Sequence, residues 1–352
     1  MSLASEFGAG ALFGSALAAA GIYSPALIKA QMQLADFTML KTFISASASG
    51  ALAIHLADRI GFAPIKPRTP QNLGFFVYDG NIIGGALLGA GMALTGACPG
   101  TSLVQLAAGL RSGLFVVLGG MAGGIVHVAV LPLLQKKRDP PSCSLNTDAA
   151  SIQNQPAASD KLPQEPTLQS TFKLNTNTLL LSWEILCVLF VQLANVFTGV
   201  GGQGPGLVGP VTGGCLIGAA QAGTVWLTRH TVGVSSAYGN LAQSIFHFLG
   251  LKEEGPLLTP SVLFAAGILS SSAVVTRLAS ETALQAIRAG SADVAASTAL
   301  LGGFAMVFGA RLAGGCTSGH GISGLVTFSW ASFISVAAMF GSGILTALIT
   351  RL

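Results

Sequence analysis

The sequence predicts an all-α polytopic membrane protein: about nine transmembrane helices in two inverted repeats, with broken helices that meet at the bilayer midplane. Three observations predict it. Of 352 residues, 51% are hydrophobic and only 9% are charged, whereas a soluble surface normally needs about a quarter charged. Uncharged runs recur at lengths that cross a hydrocarbon core of about 30 Å. One glycine-rich segment also occurs twice in the chain, in register, as shown below.

The predicted spans lie near 10–23, 38–57, 80–110, 112–134, 178–199, 211–227, 261–279, 298–328 and 330–350. The first and sixth are short; the third and eighth are long but interrupted by Gly, Pro, Thr and Ser. Between 80 and 110 there is no charged side chain, yet the middle reads GMALTGACPGTS. Irregular backbone at that depth is tolerated only where protein or a water-filled cavity satisfies it. No basic stretch precedes the first apolar run, so the first segment is expected to stay and not to be cleaved as a signal.

Residues 1–134 form the first membrane repeat, 135–177 a flexible polar linker, and 178–352 a linking helix plus the second repeat. The linker is rich in Pro, Ser, Asn and charge and lacks apolar surface to bury. With nine crossings, ten basic residues (Arg59, Lys66, Arg68, Lys136, Lys137, Arg138, Lys161, Lys173, Arg229, Lys252) fall on the side of the N-terminus. Six (Lys29, Lys41, Arg111, Arg277, Arg288, Arg351) fall opposite, which favours a cytoplasmic N-terminus; the plasma membrane is the expected location. A net charge of +4 with basic residues confined to loops is no nucleic-acid footprint, so no nucleic-acid partner is expected.

The segment GGALLGAGMALTGACPGTSL at 84–103 overlays GGFAMVFGARLAGGCTSGHG at 302–321 without a gap. Gly84, Gly85, Gly91, Leu94, Gly96 and Cys98 fall on Gly302, Gly303, Gly309, Leu312, Gly314 and Cys316, and the register continues through Phe115/Phe333, Met121/Met339 and Gly123/Gly341. A weaker match sets 10–21 over 214–223, with Ala11 opposite Cys215. Equivalent spans are separated by five crossings, an odd number, so the repeats are expected to be inverted. Inverted repeats with discontinuous helices in corresponding positions are a transporter construction with a midplane site.

In GACPGTS, Gly96 breaks the incoming helix, Cys98 lies in the break, and Pro99 starts an outgoing helix through Gly100 and Thr101. In GGCTSGHG, Gly314 and Gly315 precede Cys316, and Thr317 and Ser318 are expected to cap the outgoing helix. Each cysteine thus sits beside a helix N-terminus, where unpaired N–H groups and the dipole favour an anion. A polarizable thiol suits a sulfur-bearing anion better than a hard oxyanion. A thiolate there could also exchange with sulfane sulfur, and the sequence leaves binding and covalent relay both open.

These repeated segments, GACPGT and GGCTSGHG on a nine-helix chain, resemble the YeeE/YedE sulfur-transport family, over roughly 8–134 and 178–350. The resemblance implies a permease, not an enzyme, with thiosulfate or a similar small anion as substrate and no cofactor. It also implies pathway cysteines at Cys98 and Cys316 and a possible soluble sulfur-carrier partner. Bacterial thiosulfate carriers of the family tend to place a further cysteine on the first helix, where this chain has Ala and Gly; its third candidate is Cys215 in the second half.

Among the remaining residues, His320 follows Cys316 by one turn and is expected near the pathway. His127 and Arg311 lie inside spans, where ionisable groups are functional candidates. Gln192, Asn195 and Gln221 read as interhelical glue, Cys187 as packing and Cys143 as an inert linker residue. There is no C-x-x-C pair, no zinc-spaced cluster and no P-loop, so no metal is expected and ATP hydrolysis by that route is excluded. The alternative reading is a membrane thiol–disulfide oxidoreductase using the same cysteines; a third is a structural membrane protein.

Overall fold

A computed structural model describes residues 3–62, 66–135, 167–198, 206–231, 233–248, 259–278, 284–285, 287–288 and 294–350. It is all-α: helix accounts for 81% of it. Among the described residues there is no strand, only an isolated bridge between Thr167 and Ser329. The first half runs α1 (Leu3–Ala20), α2 (Pro25–Met32), α3 (Thr38–Arg59), α4 (Asp79–Thr95), α5 (Pro99–Ala107) and α6 (Arg111–Gln135). Then follow α7 (Leu168–Phe172) and α8 (Thr176–Thr198). The second half runs α9 (Pro210–Thr228), α10 (Ser235–Phe248), α11 (Pro260–Leu278), α12 (Ala296–Leu312), a π-helical turn (Thr317–Gly324), a 3₁₀ turn (Leu325–Thr327) and α13 (Trp330–Thr350).

Seven described helical runs are long and apolar enough to cross a bilayer, and α12 with its bent continuation to Thr327 makes an eighth, kinked by 47°. The remaining predicted crossing, 211–227, is α9, whose 19 residues include four glycines, three threonines and a glutamine that hold down its hydropathy. Helices α2, α7 and α10 lie outside the predicted spans. Most of the predicted linker lies outside the described residues. Its last part folds as α7, which is held by the Thr167 cap on Ser170, the Leu168 N–H on the Phe328 carbonyl (2.9 Å) and the Trp330 indole on Thr171 (2.9 Å). Cys143 also lies outside the described residues.

Membrane helices need every polar group satisfied within the protein. Here buried Thr42, Thr95, Thr224, Thr228 and Thr276 each turn a hydroxyl onto the carbonyl four residues earlier, at 2.7–3.0 Å. Outward faces stay apolar: on α8, Leu181, Ile185, Val188, Leu189 and Val196 are all exposed, as a helix bordered by lipid requires.

The halves pack in matching pairs. Helix α1 lies on α11 as α9 lies on α3; α4 lies on α13 as α12 lies on α6. Helix α5 meets α11 as the π turn meets α3, and α2 meets α4 as α10 meets α12. The equivalent helices α4 and α12 touch along a glycine seam. A Cβ on Gly84 would meet the Gly309 carbonyl at 2.6 Å, and one on Gly91 would meet the Gly302 carbonyl at 2.5 Å. Position rises along one helix as it falls along the other, so α4 and α12 run antiparallel. The repeated glycines therefore permit backbone-to-backbone approach between the two repeats.

Candidate functional site

Both predicted breaks are present and have the same backbone. After α4, Gly96 adopts φ +61° and Cys98 is extended (φ −117°, ψ 168°). After α12, Gly314 adopts φ +75° and Cys316 is extended (φ −103°, ψ −171°). The left-handed glycine ends each helix, a turn that a side chain would strain, and the extended cysteine redirects the chain into a new helical turn. Neighbouring polar groups hold each break. Gln105 Nε2 donates to the carbonyls of Gly96 and Tyr23, both at 2.9 Å. At the second break His320 uses one ring nitrogen on the Ala313 carbonyl (2.9 Å) and the other on the Ser332 hydroxyl (3.1 Å).

Cys98 caps α5 with its own sulfur. Sγ accepts from the Thr101 N–H (3.4 Å) and the Thr101 hydroxyl (3.3 Å), while the Cys98 N–H donates to Thr101 Oγ1 (2.8 Å). Cys316 is held differently from the expectation. Ser318 does not cap the helix but pairs with Cys316 Sγ at 3.2 Å, and Thr317 donates to the sulfurs of Met92 (3.3 Å) and Met339 (3.4 Å). The Gly319 N–H and both the N–H and hydroxyl of Ser235, at the start of α10, also face Cys316 Sγ.

Both cysteines are buried. Beside Cys98 lies a small cavity of about 30 Å³, lined by Cys98, Gly100, Thr101, Thr317 and Ser318, with Phe13, Leu17, Phe43, Ile217 and Ile322 among its apolar walls. That volume holds one or two waters. Cys316, the residue before Thr317, is not among the lining residues. Pro99 presents its carbonyl to the hydroxyls of Ser102 (3.0 Å) and Tyr238 (3.4 Å). Gly315 makes room for the His320 ring, whose Nε2 would be 2.9 Å from a Cβ there.

Cys215 is not brought to the other two. On α9 it is Gly213, Gly214, Ile217 and Gly218 that turn inward, which leaves Cys215 exposed on the outer face. Gln221 is glue, as expected, with Nε2 on Ser323 Oγ at 3.1 Å. Cys187 is buried on α8. Among the described residues no three of His, Cys, Asp and Glu gather as a metal site.

Three residues near the sulfurs carry no motif signal. Ser235 and Tyr238 come from α10, and the Tyr238 hydroxyl pairs with Ser102 at 2.9 Å. Arg68 comes from the loop before α4. That loop is fastened to the second half: Ser329 Oγ donates to the Arg68 carbonyl (2.7 Å), and Asn81, which holds the Gln71 N–H (2.8 Å), donates to Ser335 (2.8 Å) and the Ala313 carbonyl (3.2 Å). Asp79 closes the loop by accepting the N–H groups of Leu73, Phe75, Phe76 and Gly80. Arg68, read from sequence as an orientation signal, therefore lies over the second break. Burial lowers its pKa and the nearby Cys316 raises it, but a guanidinium keeps its charge in proteins.

The sulphur transport family model matches residues 19–345, which include both breaks and both cysteines. The chain belongs to the sulphur transport family. It is similar to a probable transporter of Xylella fastidiosa (strain 9a5c), with 31% identity over 140 residues, 39% of this chain and 90% of the relative. A probable transporter of Xylella fastidiosa strain Temecula1 matches with 29% identity over the same shares. With its seven or more apolar helices, this sulphur transport family member is an integral, multi-pass membrane protein.

Proposed function

We propose that this protein is a permease for thiosulfate, or a closely related small sulfur-bearing anion, which passes through a constriction between Cys98 and Cys316. The observation that carries the reading is that equivalent breaks in the two halves each bury a thiol at the start of a helical turn, with the Cys98 sulfur held by the Thr101 N–H and hydroxyl and the Cys316 sulfur paired with Ser318, and that Cys98, Thr317 and Ser318 line one small cavity. A thiol that accepts those bonds still has its S–H to offer, and its soft sulfur suits a sulfane sulfur. The cavity is too small for such an anion, so the constriction opens for passage.

The two repeats are inverted and related by an axis in the membrane plane. Antiparallel contact between the equivalent helices α4 and α12 supports this. So does α1 against α9, where Gly8 lies by Leu227 (3.8 Å) and Gly223 by Leu12 (3.0 Å), measured from a Cβ on each glycine. The Xylella relatives, 90% of whose length aligns with 39% of this chain, are about the size of one repeat.

The test is growth of a host that lacks other sulfur sources on thiosulfate alone. The wild-type chain supports growth; Cys98→Ala and Cys316→Ala, present in the membrane at normal amounts, do not. If both variants support wild-type growth, the constriction has another chemistry. A change in the redox state of a partner thiol without uptake would point to an oxidoreductase instead.

A further inference from the structure

We infer that a second cavity, where α6 and α12 begin, holds the phosphate headgroup of an anionic phospholipid whose chains lie along the apolar outer side of the same two helices. It contains neither pathway cysteine and is independent of the permease reading. The cavity measures about 430 Å³, against about 30 Å³ at Cys98, and is lined by Arg111, Ser112 and Phe115 of α6 and by Arg288, Ala295 and Ala296 at the approach to α12. Its size is ordinary for a small-molecule site, about 300–1,000 Å³. Two guanidiniums on one cavity select for phosphate, whose oxygens match their forked donors. The ring of Phe115 stands 6.0 Å from Arg111 Cζ and keeps that cation at the cavity. Ile287, only 1% exposed, pins the segment that brings Arg288 there.

Helices α6 and α12 pack together and run parallel. A Cβ on Gly119 would meet the Leu300 carbonyl and one on Gly123 the Phe304 carbonyl (2.5 Å), so position rises along both. Both positive helix ends therefore add to the field of the arginines. What commits the site to a lipid lies deeper. Both apolar spans start at this level, the depth of the headgroups. Leu114 and Leu118, three and seven residues after Arg111 on one stripe of α6, are 45% and 50% exposed, and Leu301 in the second turn of α12 is 69% exposed. At about 100° per residue, the exposed stripe is turned one way from the seam on α6 and the opposite way on α12. For parallel helices that is the same side of the pair. A free anion would use the arginines alone; a phospholipid uses the arginines and the leucines beneath them.

The experiment is native mass spectrometry of the full chain in neutral detergent, titrated with phosphatidylglycerol or with phosphatidylcholine of the same chains. Wild type binds phosphatidylglycerol in preference. Arg111→Gln combined with Arg288→Gln weakens that binding about 30-fold, whereas Arg277→Gln, which removes an exposed charge from the last turn of α11, leaves it unchanged. Inorganic phosphate and thiosulfate at the lipid's own concentration do not displace it. Should the double variant fail to fold, the single variants, each weaker by about 5-fold, carry the same test. Equal binding of the two lipids, undiminished binding in the folded arginine variants, or an equal loss in Arg277→Gln overturns the inference. Displacement by phosphate or thiosulfate also overturns it and makes the cavity a free-anion site. Uptake is not read in any arm, so failure here leaves the permease reading standing, and failure of that reading leaves this one.

Discussion

The Thr101 hydroxyl donates to the sulfur of Cys98 at 3.3 Å while the Thr101 N–H donates to the same sulfur at 3.4 Å, so one residue fixes the thiol from two directions. A cysteine acting as its own helix cap is locked in place by the helix it starts. The position of the Cys98 sulfur is therefore set by local sequence.

Thr101→Val tests that lock. It keeps the shape and the N–H but removes the hydroxyl, leaving the Cys98 N–H unpaired in a buried site. The expected cost is about 1–3 kcal/mol of stability, seen as a lower unfolding temperature of the purified protein, together with reduced thiosulfate uptake. Thr101→Ser should recover most of both.

Gly314→Ala tests the break itself. The residue sits at φ +75°, and a Cβ there would meet Gln71 Cγ at 2.8 Å. A left-handed conformation costs about 1–2 kcal/mol in a non-glycine residue, and displacing Gln71 disturbs the loop that carries Arg68. The variant should lose more uptake than stability, measured side by side in the same proteoliposome preparation.

Tyr238→Phe removes a hydroxyl that pairs with Ser102 and reaches the Pro99 carbonyl. The change is expected to cost about 1 kcal/mol and to slow uptake, because α10 is the element that touches both breaks. Thermal unfolding and initial uptake rates check it; an unchanged rate would mean that α10 does not hold the constriction in shape.

His320→Ala removes a brace. Both ring nitrogens are engaged, on Ala313 and Ser332, so the variant leaves a buried carbonyl and a buried hydroxyl without these partners. Destabilisation of about 2 kcal/mol or more is expected, with the residual folded fraction still able to bind thiosulfate. Loss of binding in folded protein would instead place His320 on the pathway.

The parts of this site that were legible in the sequence are those encoded locally and twice. A glycine that must take positive φ, a cysteine after it and small residues along one helix face leave the same pattern at 84–103 and 302–321, so the breaks and the seam were readable. Arg68 and Tyr238 were not, because each meets the opposite half's break, at Gly314 and at Pro99 and Ser102, only after the halves dock; Ser235 was not, because a long stretch of its own half separates it from Cys316 in the sequence. Cys215 misled for the complementary reason. Its helix is apolar on both faces, so hydropathy cannot say that Gly214 and Gly218 turn inward and the thiol outward. The hydroxyls of Thr317 and Ser318 were expected as caps, but a π turn changes which groups meet and gives them to sulfur partners instead.

The central claim is that the anion passes between the thiols of Cys98 and Cys316, and initial uptake of labelled thiosulfate into proteoliposomes tests it most directly. Cys98→Ala and Cys316→Ala are predicted to abolish uptake in correctly folded protein, while Cys215→Ala, changed on the exposed face of α9, retains the wild-type rate. Wild-type uptake by either of the first two variants, or loss confined to Cys215→Ala, would contradict the account.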